Sequence, residues 1–300
     1  MNTYHTSVLL QEAIDALDIQ KNKKYIDATL GGGGHAKEII KRGGNVLGID
    51  TDQEAIDYVH NLCHSRDLAC RQVGVGNPGQ LRLAKGNFKD INEIAKLNDF
   101  ENIFGIIFDL GVSSHQVDEA ARGFSFQKEG PFDMRMDTDL NVQAKDLINS
   151  LTKGELYELL TKLGEERHAH AIANNIVNYR KAKPIETTMQ VSEIINHTVR
   201  GENTGTLARV FQAFRIAIND ELNNLRVALP QALNLLTKTG RIAVISFHSL
   251  EDRIVKKQFL AWVEEGKGVI HTKKPIIPTQ EEIKNNKRSR SAKLRVFEKI

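Results

Sequence analysis

The sequence has little of several features that would settle its class. Only two cysteines, Cys63 and Cys70, occur in 300 residues. They form no CxxC pair and neither lies near a His cluster with zinc-like spacing, so neither a disulfide framework nor a structural metal is indicated, and a reducing cytoplasm is expected. No apolar run approaches the length of a membrane span. The opening "MNTYHTSVLLQEAIDAL" lacks a basic start followed by a long apolar core, so a soluble protein without a leader is expected. The formal net charge is only +3, so any attraction to nucleic acid must come from a local patch. There is no internal repeat.

What is present is a 40% hydrophobic chain, long enough to bury the core of one large or two moderate domains. Charge is concentrated at the end: from Lys267 to Ile300 there are ten Lys or Arg against three Glu. Such a run fits either a solvated, mobile surface segment or a phosphate-contacting one.

Apolar spacing gives the organisation. Val8, Leu9, Ala13, Ile14 and Leu17 recur at helical intervals, and "KYIDATL" predicts a strand leading into four glycines, with a helix over 36–41. "NVLGID" predicts a second strand, followed by a helix on whose face Ala55, Ile56, Val59 and Cys63 lie. "QVGVGNPGQ", Gln72 to Gln80, has the chemistry of a surface loop. "LRLAKGNF" and the strongly apolar "IFGIIFDLG" predict strands three and four, "GRIAVISF" a fifth, and "KLRVFEKI" a last one at the sheet edge. Strands alternating with helices imply an α/β fold with an open, parallel sheet.

From about Val117 to Gly205 only helical patterns appear, which predicts a helical domain inserted into the sheet domain, dividing the latter into 1–116 and 206–300. "VFQAFRIAINDELNNLRVALPQALNLL" aligns Phe211, Phe214, Ile218, Leu222, Leu225 and Leu229 on one face. It predicts one long helix broken or kinked at Pro230.

A parallel sheet binds ligands beyond the C-terminal ends of its strands, and a glycine-rich turn after the first strand admits a nucleotide-like cofactor to the backbone. Gly31, Gly33 and Ala36 satisfy the GxGxxA form of a dinucleotide fingerprint, and Asp50 stands where an acid would hold a ribose. That motif leaves a nicotinamide dinucleotide and S-adenosylmethionine both open. Three acids at strand ends, Asp27, Asp50 and Asp109, favour the second, whose ammonium and sulfonium are better held among carboxylates than at a positive helix N-terminus. Each acid singly has an alternative role as a turn or helix cap.

"FDLGVSSHQVDEAARGFSFQKEGPFDMRMD", with "GGGGHA", "ISFHSLEDRIVK", "HTSVLLQEAI", "GEERHAHAIA" and "FQAFRIAINDEL", resembles the bacterial 16S ribosomal RNA cytosine-N4 methyltransferases. The match is collinear over nearly the whole chain. The resemblance implies a Rossmann-like, S-adenosylmethionine-dependent fold with an inserted helical domain for substrate recognition. It further implies methylation of the exocyclic amine of one cytidine in the decoding region of 16S rRNA, within the small ribosomal subunit. Its cofactor positions fall on Gly33, Gly34, His35, Asp50, Phe88, Asp109 and Gln116, and no metal is implied. The chain departs from the family at His115, where proline is usual, in the extended Gln72 to Gln80 loop, and at "GTLARVF".

Methyl transfer to a delocalised amine benefits from an acceptor for its proton, and Asp109 is the candidate. The strand end reads Asp109-Leu110-Gly111-Val112, without the aromatic that other amino methyltransferases place there, so the cytosine assignment rests on the resemblance. Phe124, Phe126 and Phe132 with Arg122, Asp133 and Arg135 are a mixture suited to stacking a base and contacting phosphate, or to packing a compact loop. His248 is a candidate substrate residue, although Ser249 and Asp252 after it match a helix capping box. Two other functions compete: a dinucleotide-dependent oxidoreductase, and a ribosome-binding factor without activity.

Overall fold

Alternation along the central strands decides the layering, because successive side chains in a strand point to opposite faces. The computed structural model describes residues 6–64 and 80–300. The expected Gln72 to Gln80 loop, except its last residue, lies outside these, as do Cys70 and the side chain of Cys63.

In chain order the elements are α1 (Leu10–Leu17), β1 (Lys24–Asp27), α2 (Gly34–Lys41), β2 (Asn45–Asp50), α3 (Gln53–His64), β3 (Leu81–Lys85), α4 (Ile91–Leu97) and β4 (Ile103–Asp109). There follow α5 (Ser114–Asp118), α6 (Ala144–Ser150), α7 (Lys153–Lys162), α8 (Ala169–Arg180), α9 (Thr188–Val199) and α10 (Thr204–Asn219). The chain ends with α11 (Glu221–Leu235), β5 (Leu236–Ser246), α12 (Ser249–Glu264), β6 (Gly268–Ile270), α13 (Gln280–Asn285) and β7 (Lys293–Lys299).

The sheet has the order β3-β2-β1-β4-β5-β7-β6. The first five strands are parallel, and β7 is antiparallel to both β5 and β6. Strand order reverses between β1 and β4, which places a crevice beyond the carboxyl ends of those two strands. Ile26, Leu47, Ile106, Phe108, Ile242 and Val244 belong to one core cluster, with Leu229 of α11 and Phe259 and Trp262 of α12. Tyr25, Val46, Ile107, Ala243 and Ile245 belong to another, with Ile14 of α1 and Ile39 of α2. The result is the three-layer, Rossmann-like α/β fold expected.

Two strand assignments need correction. β7 is not at the edge, because the three-residue β6 pairs outside it; "GVI" is too short for any period to announce it. β5 begins at Leu236, ahead of "GRIAVISF", with a register shift opposite Ile103/Gly105.

The chain divides into two compact units, residues 1–111 with 222–300, and residues 112–221. The insert is therefore longer at both ends than 117–205. α10 belongs to it because Phe211 and Phe214 meet Phe132 edge-on, with ring centroids 5.5 and 5.3 Å apart. The expected single long helix is two. Asp220 (φ +50) ends α10 in the left-handed region, whereas Pro230 lies inside α11. Phe211 and Phe214 accordingly serve the insert's core, while Leu222, Leu225 and Leu229 are buried on α11. Arg215 forks onto Glu221 with two bonds of 2.9 Å across this break.

Within the insert, the "RGFSFQKEGPFDMRMD" loop is folded tightly. Phe132 is fully buried, and Arg122 donates to the carbonyls of Arg135 and Met136. Truncating Phe132 to alanine is expected to destabilise the protein by about 3–5 kcal/mol. A denaturant midpoint within error of wild type would show that the loop does not belong to this core.

Candidate active site at the strand switch

Short apolar runs that end in an acid bring three carboxylates to one edge. Asp27, Asp50 and Asp109 are the last residues of β1, β2 and β4, the three adjacent strands around the reversal. The backbone between them is held by crossing bonds. Leu30 donates to the Ile49 carbonyl and Ala28 to that of Ile107, each at 2.9 Å, so the glycine turn is suspended from both neighbouring strands.

Asp27 is buried. Its oxygens accept from Thr29 N–H at 3.3 Å and, on the first turn of α2, from Ala36 N–H at 3.2 Å. Burial, with the negative charges of Asp109 and Asp50 adding to it, pushes its carboxyl up to about 7 against the two hydrogen bonds that favour the anion. Asp50 accepts from Gly31 N–H at 2.7 Å and Asp52 N–H at 2.9 Å. Desolvation raises it to about 6, and these bonds oppose the rise. The Asp109 side chain is 8% exposed, and its Oδ2 lies 3.7 Å from Nδ1 of His35, which is 4% exposed on α2. The Asp109 backbone N–H donates to the Thr29 hydroxyl at 2.6 Å. Thr29 thus ties the end of β4 to the turn after β1, a role that sequence reading did not assign. Its one signal was its place two residues after Asp27.

The glycines divide by cause. Gly33 has φ +74, and a Cβ there would lie 3.0 Å from Val59; a Cβ on Gly34 would lie 2.1 Å from the Ser7 hydroxyl. These two are explained by the protein's own packing and, at Gly33, by the left-handed backbone that begins α2. The open position is Gly31 (φ +48), where a Cβ would meet only the Thr29 carbonyl oxygen at 3.9 Å. Gly31 shares the left-handed backbone of Gly33, and its surroundings on the protein side are open.

S-adenosylmethionine fits these residues. Asp50 accepts the backbone N–H groups of Gly31, Asp52 and Thr51, and of a carboxylate's roughly four accepting directions this leaves one for a ribose hydroxyl. Phe88 is half-buried just past β3, edge-on to Phe108 with centroids 5.8 Å apart. The clustered carboxylates suit a cationic ligand, and such a ligand would favour their ionised forms.

The remaining expected residues serve their own surroundings. Gln116, buried in the insert, accepts the Ser113 N–H at 3.0 Å and closes a capping box on α5. Asp133 and Arg135 pair at 2.7 Å, and Arg135 also donates to the carbonyls of Thr138 and Leu140. Phe126 packs edge-on to Phe211 at 5.7 Å. The cap of α12 is His248, with Glu251 as its partner, and not Ser249 with Asp252. Asp252 is engaged elsewhere, by Arg295 at 2.6 Å and Lys293 at 3.4 Å.

The raised Asp27 carboxyl makes stability pH-dependent. In the fold it holds its proton up to about pH 7, against 3.8 as the ordinary value. Its favourable contribution is fully present below about pH 3.8 and is lost progressively as pH rises from there through about 7, with a slope of at most about 1.4 kcal/mol per pH unit. Asp27→Asn is expected to flatten the decline in melting temperature between about pH 4.5 and 7. A decline as steep as in wild type would refute the assignment.

Among the described residues no helix is long and apolar enough to cross a membrane. The chain matches the model of the MraW methylase family over residues 2–300. It is 43% identical over 299 residues to "Ribosomal RNA small subunit methyltransferase H" of Coprothermobacter proteolyticus, covering 98% of this chain and 96% of that one. The protein of the same name from Clostridium botulinum is 42% identical over 321 residues, with both chains covered completely. Among solved structures, an rRNA methylase from Streptococcus thermophilus aligns over 98% of each chain at 11% identity, with a TM-score of 0.45. With a family model matched from end to end and relatives above 40% identity over their full length, the chain belongs to the MraW methylase family.

Proposed function

We propose that this protein methylates the exocyclic N4 amine of one cytidine in the decoding region of 16S rRNA, acting on the small ribosomal subunit in the cytoplasm. As a member of the MraW methylase family with full-length relatives that methylate small-subunit ribosomal RNA, it is an S-adenosylmethionine-dependent rRNA methyltransferase. The observation that carries the reading is the convergence of Asp27, Asp50 and Asp109 beside the open turn at Gly31, at the reversal of strand order. A dinucleotide-dependent oxidoreductase would share the fold but not the family.

The cofactor supplies a methyl group on a sulfonium, whose leaving group needs no metal. Asp50 takes the ribose, Phe88 lies against the adenine, and the turn at Gly31 lets the cofactor reach the backbone. Gln116 is proposed for the methionine end or the acceptor. Asp109 accepts the N4 proton, which helps the delocalised nitrogen become tetrahedral. Its low exposure strengthens that interaction by excluding water. Thr29 holds the backbone of this acid, and His35 stands 3.7 Å from its carboxylate.

The insert, residues 112–221, is proposed to recognise the RNA around the target, which must be unpaired or flipped to reach a buried donor. Phe126, Asp133, Arg135 and His248 act there and at the rim through the conformation they impose on loop and helix.

The test is transfer of labelled methyl to small subunits from cells lacking the protein, followed by digestion to nucleosides. Label in N4-methylcytidine supports the proposal. Label in another nucleoside refutes the amine assignment, and RNA binding without label would make the protein a non-catalytic factor.

A further inference from the structure

The basic C-terminal run is a built surface at the active edge of the sheet. Residues 287–291 form a 3-10 turn capped by Asn286, whose side chain accepts the Arg288 N–H. Ser289 at its centre is completely buried and donates its hydroxyl to the Asn286 carbonyl at 2.8 Å. Around that anchor Lys284, Lys287, Arg288 and Arg290 are exposed. A mobile tail would have neither the cap nor the buried serine.

Register fixes where this turn stands. Asp109 pairs with Ile245 of β5, and Ile245 pairs with Leu294 of β7. At about 4.8 Å between neighbouring strands, Leu294 lies about 10 Å across the sheet from the proposed proton acceptor, and the basic turn ends only two residues before β7. The same segment reaches the glycine turn from the other side. Glu282 accepts the Leu9 N–H at 2.8 Å and Asn286 donates to the Thr6 carbonyl at 3.5 Å, flanking the Ser7 that abuts Gly34. Lys293 and Arg295 pair with Asp252, and the exposed cations Lys284, Lys287 and Arg290 stand before them on the outer surface.

We propose that Lys284, Lys287 and Arg290 form a phosphate-binding surface that holds the backbone of the RNA strand carrying the target nucleotide. This rests on the proposed function for the identity of the strand. Cations held close together on a short helix and the capped turn after it repel one another, and a polyanion relieves that repulsion while releasing its own counterions.

The experiment measures binding of deproteinised 16S rRNA, and separately of intact small subunits, across a salt series. It compares wild type, Lys287→Ala/Arg290→Ala, and a control, Lys238→Ala/Lys267→Ala, whose charges flank the opposite ends of the strands. The first variant is expected to lower the slope of log affinity against log salt by about one to two and to weaken binding about tenfold, with cofactor binding and melting temperature unchanged. The control is expected to match wild type. An unchanged slope, or an equal loss in the control, overturns the proposal. So does a loss seen with intact subunits but not with deproteinised RNA, which would indicate an acidic protein partner. Wild type that binds RNA with the predicted salt dependence but transfers no methyl would refute the methylation reading and leave this surface standing.

Discussion

Asp109→Ala is expected to lower methyl transfer about 10²- to 10⁴-fold, the range spanned by a positioned general base. The acid ends β4 beside the reversal of strand order, with its backbone held by Thr29 and its carboxylate near His35. Asp109→Asn separates charge from shape, since it keeps the size and the backbone bond but loses the anionic acceptor. If Asp109 takes the amine proton, both variants retain cofactor affinity within a few fold while kcat falls. An equal fall in cofactor binding would assign the residue to the cofactor alone. Full activity of the asparagine variant would remove it from the chemistry.

Asp50→Ala is expected to weaken S-adenosylmethionine about tenfold to a hundredfold, because a hydrogen bond to a charged acceptor contributes about 1.5 to 3 kcal/mol. The same change releases Gly31 N–H, which donates to Asp50 at 2.7 Å, so the open turn loses its anchor as well. Asp50→Asn preserves one acceptor and is expected to fall between the two. Cofactor titration by calorimetry checks this. Since Asp27 and Asp50 sit near 7 and 6 and a cationic ligand favours their anions, wild type is also expected to release protons on binding at pH 6. Binding to Asp50→Ala within threefold of wild type would place the ribose elsewhere.

The strand-end acids were legible because each closes a short apolar run, the pattern of a parallel strand reaching the edge of its sheet. The break at Asp220 was not legible. Apolar spacing continues from Phe211 to Leu229 without interruption, and a single residue at φ +50 assigns the two halves to different cores. Proline drew attention to Pro230, yet that residue stays within α11. Pairing put β7 inside the sheet, and pairing is a property of two segments that one segment does not reveal. The roles of Ser7 against Gly34 and of Thr29 against Asp109 cross 27 and 80 residues, so no local signal carries them. His248 as a helix cap was hidden because serine, threonine, aspartate and asparagine are the usual caps.

The most direct test of the central claim is mass spectrometry of decoding-region fragments of 16S rRNA. The RNA would come from cells lacking this protein and from the same cells restored with wild type or with Asp109→Ala. One methyl group on the N4 of a single cytidine, present with wild type and absent from both other strains, is the predicted result. The same methyl in all three strains, or its return with Asp109→Ala, would contradict the account.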